Sequence, residues 1–299
     1  FRRDDIMLID SFLDYLRYER CYSEKTVLAY GNDLAQIQDF IQEIYGKFNP
    51  VEVGVEQVRE WIVSLMDKGY TSTSVNRKLS SLRAFYKFLL KRGEISVDPL
   101  LKLKGPKNKK PLPIFLKESD MDKLLDEVDF GDGFKACRDK LIIEVFYLTG
   151  MRLSELIGLD DVDVDFSASL FRVTGKRNKQ RLIPFGDELK MLMLEYVDVR
   201  NETIPVKSGA FFVRENGERL YENLVYNLVK RSLSKVVMLK KRSPHVLRHT
   251  FATTMLNNHA ELEAVKELLG HESIATTEIY THTTFEELKK VYKQAHPRA

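Results

Sequence analysis

Apolar residues return every three or four positions through the first hundred residues, and the pattern then becomes mixed. Met7, Phe12, Leu13 and Leu16 mark a first amphipathic segment. Ser23 stands as N-cap of a second, in which Val27, Tyr30, Leu34, Ile37 and Ile41 recur until Gly46. Val58, Trp61, Ile62 and Leu65 define a third, closed by Gly69. The fourth runs from about Thr73 to Arg92, with Val75, Leu79, Leu82, Tyr86 and Leu89 on one face and Gly93 as the stop. Four helices with short connections predict a small bundle.

Leu101 to Pro113 breaks this rhythm: Pro106, Pro111 and Pro113 forbid a helix, and the lysines between them favour solvent. Beyond it, helical spacing returns near 118–128, 135–148, 152–158 and 187–200. Ser169 to Val173 and Arg181 to Phe185 alternate instead, with Gly175 and Asn178 between them, and predict a β-hairpin. A short strand at Phe211–Val213 extends that hairpin in this reading. Helices follow at 221–237, 244–257, 261–269, 274–281 and 284–294. The second half is therefore mostly α with a small antiparallel sheet, and no internal repeat is visible.

A chain of 299 residues is long for one core, so two domains are expected. The net charge of +3 says little, but its distribution says more. Between Lys68 and Lys110 the only acidic residues are Glu94 and Asp98, against twelve Lys and Arg. That asymmetry is the footprint of a nucleic-acid binder, although a solvated helix face and a charged linker give the same composition. Arg83, Lys87 and Lys91 follow at i, i+4 and i+8, a face suited to a DNA groove, with Arg77 and Lys78 just upstream. Two lone cysteines, Cys21 and Cys137, suggest reduced, buried thiols rather than a disulfide. No apolar run approaches the roughly 20 residues of a membrane span, and the start of the chain lacks a signal-peptide pattern. The expectation is a cytoplasmic protein with no membrane partner.

Chemistry concentrates near the carboxyl end. His245-Val-Leu-Arg248-His249, then Gly270-His271, then Tyr280 bring imidazoles, a guanidinium and a phenol into one stretch. A phenol can attack a phosphodiester while Arg and His stabilise the charge that grows on phosphoryl oxygens. Each residue alone has an ordinary explanation. Arg152 has Glu155 at i+3, the spacing of an intrahelical ion pair. Lys176 sits in a basic turn with Arg177, Lys179 and Arg181. Gly175-Lys176 is no phosphate loop, because Leu170 replaces the first glycine and Arg177 the Ser or Thr. His245 and His249 have the i, i+4 spacing of a zinc helix, but Val246 stands where that motif needs Glu and no third ligand follows.

Taken jointly, these segments resemble the tyrosine recombinase (integrase) family, and within it the Xer group of bacterial chromosome-dimer resolvases. The likeness rests on Thr149-Gly-Met-Arg152-Leu-Ser-Glu-Leu156, Gly175-Lys176-Arg-Asn-Lys-Gln-Arg181, Pro244-His245-Val-Leu-Arg248-His249, Leu268-Leu-Gly-His271 and Tyr280-Thr-His282. It implies a four-helix, SAM-like core-binding domain over 1–104, a linker over 105–114 and an α+β catalytic domain over 115–299, closing round DNA as a C-shaped clamp. It implies Tyr280 as nucleophile, with Arg152, Arg248, His245 and His271 stabilising the phosphorus, Lys176 as general acid and Glu155 in support. Arg77, Lys78, Arg83, Lys87, Lys91, Arg177, Lys179 and Arg181 are then DNA contacts, with no metal and no cofactor. The implied partners are a double-stranded recombination site, a tetramer formed on it, a second Xer-type recombinase and a septal DNA translocase. The helix from Thr284 to Ala295 is the segment such a family passes to a neighbouring protomer; docking on its own domain is the alternative. A mobile-element integrase, transposase or invertase would share this chemistry.

Overall fold

The computed structural model describes residues 2–108, 114–175, 178–205, 208–239, 241–270 and 282–298. The chain divides into two compact units, Phe1–Pro111 and Leu112–Ala299.

Unit 1 is built from α1 (Arg2–Asp14, continued by a π-helical turn, Tyr15–Glu19), α2 (Glu24–Tyr45), α3 (Val55–Asp67) and α4 (Ser72–Arg92). The expected stripes meet in one core containing Phe12, Leu34, Ile37, Trp61, Leu79, Tyr86 and Leu89. Met7 is the exception and stays exposed; the Cys21 thiol, expected to be buried, is exposed too, because Cys21 falls in the connection between α1 and α2 rather than on a helix face. Ser23 caps α2 through Thr26 N, and Gly46 closes it at φ +76°. Helix α4 starts earlier than expected because Thr71, not a later residue, accepts the Ser74 N–H. A buried carboxylate ties α2 to α4: Asp33 takes a fork from Arg77 at 2.7 Å on each oxygen, Lys78 Nζ at 3.0 Å and Ser81 Oγ at 2.7 Å. The chain after α4 does not run free at first. Arg83 Nη2 donates to Leu103 O and Asn76 Nδ2 donates to Pro106 O.

Unit 2 comprises α5 (Glu118–Asp122, continued by a π-helical turn, Lys123–Glu127), α6 (Gly133–Thr149), α7 (Leu153–Gly158), β1 (Val164–Asp165), β2 (Leu170–Thr174), β3 (Gln180–Pro184), α8 (Asp187–Thr203), α9 (Glu222–Ser234), α10 (Pro244–Asn257), α11 (Leu262–Leu269) and α12 (His282–Ala295). The strands form one antiparallel sheet in the order β1-β2-β3, with Phe171 opposite Ile183 and Val173 opposite Arg181. The third strand is therefore 164–165, not 211–213. Residues 210–213 are drawn elsewhere: Phe211 N donates to Leu159 O, and Ala210 and Val213 make isolated bridges to Asp160 and Arg219.

The second half of helix α6, residues 141–149, is buried on every side and forms the centre of the core, with Ile142, Ile143, Val145 and Phe146 all fully buried. Helix α12 docks on its own unit. Leu288, Tyr292 and Ala295 bury against Phe251, Met255, Val265, Leu268 and Leu269. Asn258 Nδ2 holds Ala295 O at 2.9 Å, and Arg298 pairs with Asp122 and Asp126. In this single chain the carboxyl-terminal helix is an intramolecular element. The expected helix at 274–281 lies outside the described residues.

Candidate active site

Local sequence sets each side chain. Helix α6 ends at Gly150, whose φ of +59° turns the chain sharply. Arg152 follows in extended geometry as N-cap of α7, and Glu155, three residues on, turns back to accept Arg152 N at 2.7 Å. Its other oxygen accepts Arg152 Nη1 at 2.7 Å, so the i+3 ion pair exists. Helix α10 begins at Pro244, with Val246, Leu247 and Phe251 facing the core. His245 and His249 lie on its exposed side, and Arg248 is buried.

The arrangement converges on the end of α11. Three successive carbonyls there are each held by a different arginine. Leu268 O accepts Arg181 Nε at 2.9 Å, Leu269 O accepts Arg248 Nη2 at 2.5 Å, and Gly270 O accepts Arg152 Nη2 at 2.8 Å. Arg248 Nη1 also donates to Gly150 O at 2.6 Å. A helix carboxyl end carries partial negative charge, so it is a favourable anchor for cations. Arg152 and Arg248, far apart in sequence, thus grip adjacent peptide groups.

Charge in this cluster is unbalanced. Glu155 is the one carboxylate bonded to Arg152, Arg181 or Arg248 among the described residues. Burial alone would raise its carboxyl pKa. The hydrogen bond and charge of Arg181, then the backbone and side chain of Arg152, overcome this and bring it to about 2. Burial, then repulsion from Arg152 and Arg181, lowers Arg248 to about 10, only partly offset by Glu155. It stays charged at neutral pH, but an incoming anion would relieve that repulsion. The imidazole of His245 is held below the ordinary histidine range by lost hydration, then by His249, Arg248 and Arg152. An anion such as a phosphate is the ligand this electrostatic balance fits. Gly175 also belongs here: a Cβ built on it would stand 3.5 Å from Glu155 Oε1 and 3.9 Å from Arg152 Nη1.

The structure gathers Arg152, Glu155 and Arg248, with His245 close enough to feel both arginines. Lys176, Arg177, His271 and Tyr280 lie outside the described residues. Arg181 is placed differently from the expectation of a phosphate contact. Its guanidinium is buried and spent on Glu155 and Leu268 O. Lys78 is likewise spent, its amine buried on Asp33 and Gln36. Arg77 gives its fork to Asp33 while remaining half-exposed, and Arg83 donates to Leu103 O. Lys87, Lys91 and Lys179 are exposed. A signal for Arg181 was present in the sequence, because it alternates with Ile183 on the inward face of β3 and with Phe185 just past its end, all three buried. Among the described residues no group of three or more His, Cys, Asp or Glu side chains is placed to hold a metal ion. No helix of the described residues is long and apolar enough to cross a membrane.

A helical unit followed by an α+β unit with converging arginines defines a class, that of the tyrosine recombinases. Comparison with known proteins agrees: residues 115–287 match the phage integrase family and residues 9–93 match the phage integrase N-terminal SAM-like domain. The chain belongs to the phage integrase family, whose tyrosine recombinases are DNA strand-exchange enzymes. Its relatives are of Xer type. It is 40% identical to tyrosine recombinase XerC of Chlorobaculum parvum, over 97% of this chain and 94% of that one. It is 37% identical to the XerC of Staphylococcus carnosus, over 97% of each. Among solved structures, XerH bound to a palindromic difH substrate shares the fold at a TM-score of 0.73 and 22% identity, covering 94% of this chain and 83% of that one. The Tn1549 transposon integrase with circular intermediate DNA does so at 0.70 and 21%, covering 94% and 98%.

Proposed function

We propose that this chain cuts and rejoins a specific double-stranded DNA site with Tyr280 as nucleophile. The Tyr280 oxygen bonds to the scissile phosphorus and the bond to the 5′ oxygen breaks, leaving a 3′-phosphotyrosyl link. Lys176 supplies the proton taken by the departing 5′ oxygen. Arg152, Arg248, His245 and His271 neutralise charge on the non-bridging oxygens, and Glu155 holds Arg152 in register. The free 5′ hydroxyl then attacks the 3′-phosphotyrosyl phosphorus of the partner duplex, the bond to that protomer's tyrosine oxygen breaks and the phenol is released, which joins the strands in a Holliday junction. Each step exchanges one phosphodiester for another, so the chemistry needs no ATP. The observation that carries this reading is the grip of Arg152 and Arg248 on Gly270 O and Leu269 O, which leaves each guanidinium with further N–H groups to offer a phosphate.

The domain reading, with DNA core binding over 1–104, a linker over 105–114 and catalysis over 115–299, belongs to the same proposal. So do exposed Lys87, Lys91 and Lys179 as phosphate contacts. Within the same proposal the chain acts in chromosome dimer resolution, by a tetramer on DNA that includes a second Xer-type recombinase and is activated by a septal DNA translocase; its likeness to recombinases of the Xer type supports the Xer part of this reading. A duplex carrying a nick near the cleavage point tests the chemistry, because the cut fragment diffuses away and strands the covalent complex. Wild-type protein should be trapped and Tyr280→Phe should not. Trapping of Tyr280→Phe would reject the nucleophile.

A further inference from the structure

Arg181 is a strand residue whose guanidinium points into unit 2. Its Nη1 and Nη2 bond the two oxygens of Glu155 at 2.6 and 2.9 Å, a parallel fork, and its Nε bonds Leu268 O at 2.9 Å. Gly270 lies against it, since a Cβ there would come within 3.0 Å of Arg181 Nη1. Exposure separates the members of the cluster: the Arg152 side chain is 28% exposed, that of Arg181 7% and that of Glu155 1%. The more exposed arginine side chain is therefore Arg152, and the one sealed inside is Arg181.

The division of bonds matters. A carboxylate facing a single arginine takes it by the fork, two parallel N–H groups on two oxygens. Here the fork belongs to Arg181, and Arg152 reaches Glu155 with its side chain through Nη1 alone. Its remaining side-chain bond is Nη2 to Gly270 O. Without Arg181, a buried carboxylate with two open lone-pair sites would stand beside Arg152. It would draw in the Arg152 guanidinium and cancel its charge.

We propose that Arg181 is a positioning residue for strand cleavage: by occupying Glu155 and anchoring the end of α11, it keeps the edge and charge of Arg152 available to the scissile phosphate. This rests on the reading of Arg152 as a phosphate ligand, and the experiment separates the two.

Single-turnover cleavage of the nicked duplex is measured at saturating DNA for wild type, Arg152→Ala, Arg181→Gln and Arg181→Lys. Each is run on a normal scissile phosphate and on a methylphosphonate, in which a methyl group replaces a non-bridging oxygen and removes its negative charge. Arg181→Gln should cleave the normal phosphate roughly tenfold to a hundredfold slower, as a misplaced catalytic group does. Arg181→Lys, which keeps a cation but not the fork, should fall between Arg181→Gln and wild type, and it serves alone if Arg181→Gln does not fold. On the methylphosphonate the deficit of Arg152→Ala should shrink, and that of the Arg181 variants should shrink with it. A purely structural role for Arg181 slows both substrates equally. Rescue of Arg152→Ala without rescue of the Arg181 variants overturns the positioning role and leaves the Arg152 reading standing. Failure to rescue Arg152→Ala removes the phosphate reading itself, and the positioning role with it.

Discussion

Replacing Glu155 with Gln keeps the shape of the side chain and removes its charge. The amide nitrogen must then face donors already in place, either Arg152 N and Arg181 Nη2 or the Nη1 groups of both arginines. Two estimates of the cost agree. Lowering the carboxyl from its ordinary 4.5 to about 2 is worth about 3 kcal/mol of folding free energy. Removing one partner of a buried ion pair costs roughly 3–5 kcal/mol, because the other charge stays buried. The side chain of Glu155 is 1% exposed, so solvent screening does not reduce the figure. The sign follows from linkage. The folded carboxyl binds its proton less readily than the unfolded one, so its contribution is complete above about 4.5 and disappears as pH falls through about 2. By pH 3 about 2 kcal/mol of it is lost. The assay is urea unfolding of the full chain, wild type against Glu155→Gln, followed by far-UV circular dichroism from pH 7 to pH 3. The single tryptophan, Trp61, lies in unit 1 and supplies an internal control, since its fluorescence transition should not move. A large gap at pH 7 that narrows on acidification is the expected result. A gap of constant size would refute the argument, because the lost stability would then owe nothing to the carboxylate charge.

The ring of His296 is buried among Tyr147, Phe251 and Tyr292, and its Nδ1 accepts Arg298 N at 3.3 Å. Burial, partly opposed by a hydrogen bond to the Tyr147 backbone and reinforced by Arg298, lowers its pKa to about 4. The neutral ring therefore stabilises the fold fully above about 6.5, and about 3 kcal/mol is lost as pH falls through about 4. Substitution by Phe should flatten that part of the urea-midpoint profile, and an unchanged slope would count against it. Gly150→Ala should destabilise unit 2 by about 3 kcal/mol, from the positive φ and from a Cβ only 2.6 Å from the Phe251 ring; calorimetry showing an unshifted midpoint would contradict this. Replacing Lys87 and Lys91 with Ala should weaken DNA binding at every sequence and lower the slope of log K against log salt by roughly 1 for each. A slope equal to that of the wild type would mean these lysines only face solvent.

How much of this was visible in the sequence depends on what each residue does for the fold. Stripes such as Val75, Leu79, Leu82, Tyr86 and Leu89 repeat a burial decision along a helix, and repetition makes them legible. Gly46, Gly93 and Gly150 mark helix ends because the chain must reverse there at positive φ. The convergence of Arg152 and Arg248 was readable only through resemblance, since nothing local to either residue says where α11 ends. Charged residues resisted reading for a different reason. Composition shows Lys78, Arg83 and Lys87 as equal members of a basic run, yet one cation is buried on Asp33, one bonds a carbonyl and one is exposed. What separates them is a partner forty or more positions away for Lys78 and the returning chain for Arg83, and neither is encoded in local spacing. Arg181 shows the same limit from the other side. Its neighbours on the hairpin suggested a phosphate-facing turn, whereas the alternation with Ile183 and Phe185 put it inside. A buried arginine is costly without a matched acid, so the inward phase of Arg181 and the unusual demand on Glu155 are one fact. Arg152 alone could satisfy a single carboxylate; the second guanidinium is what leaves the site with charge to give.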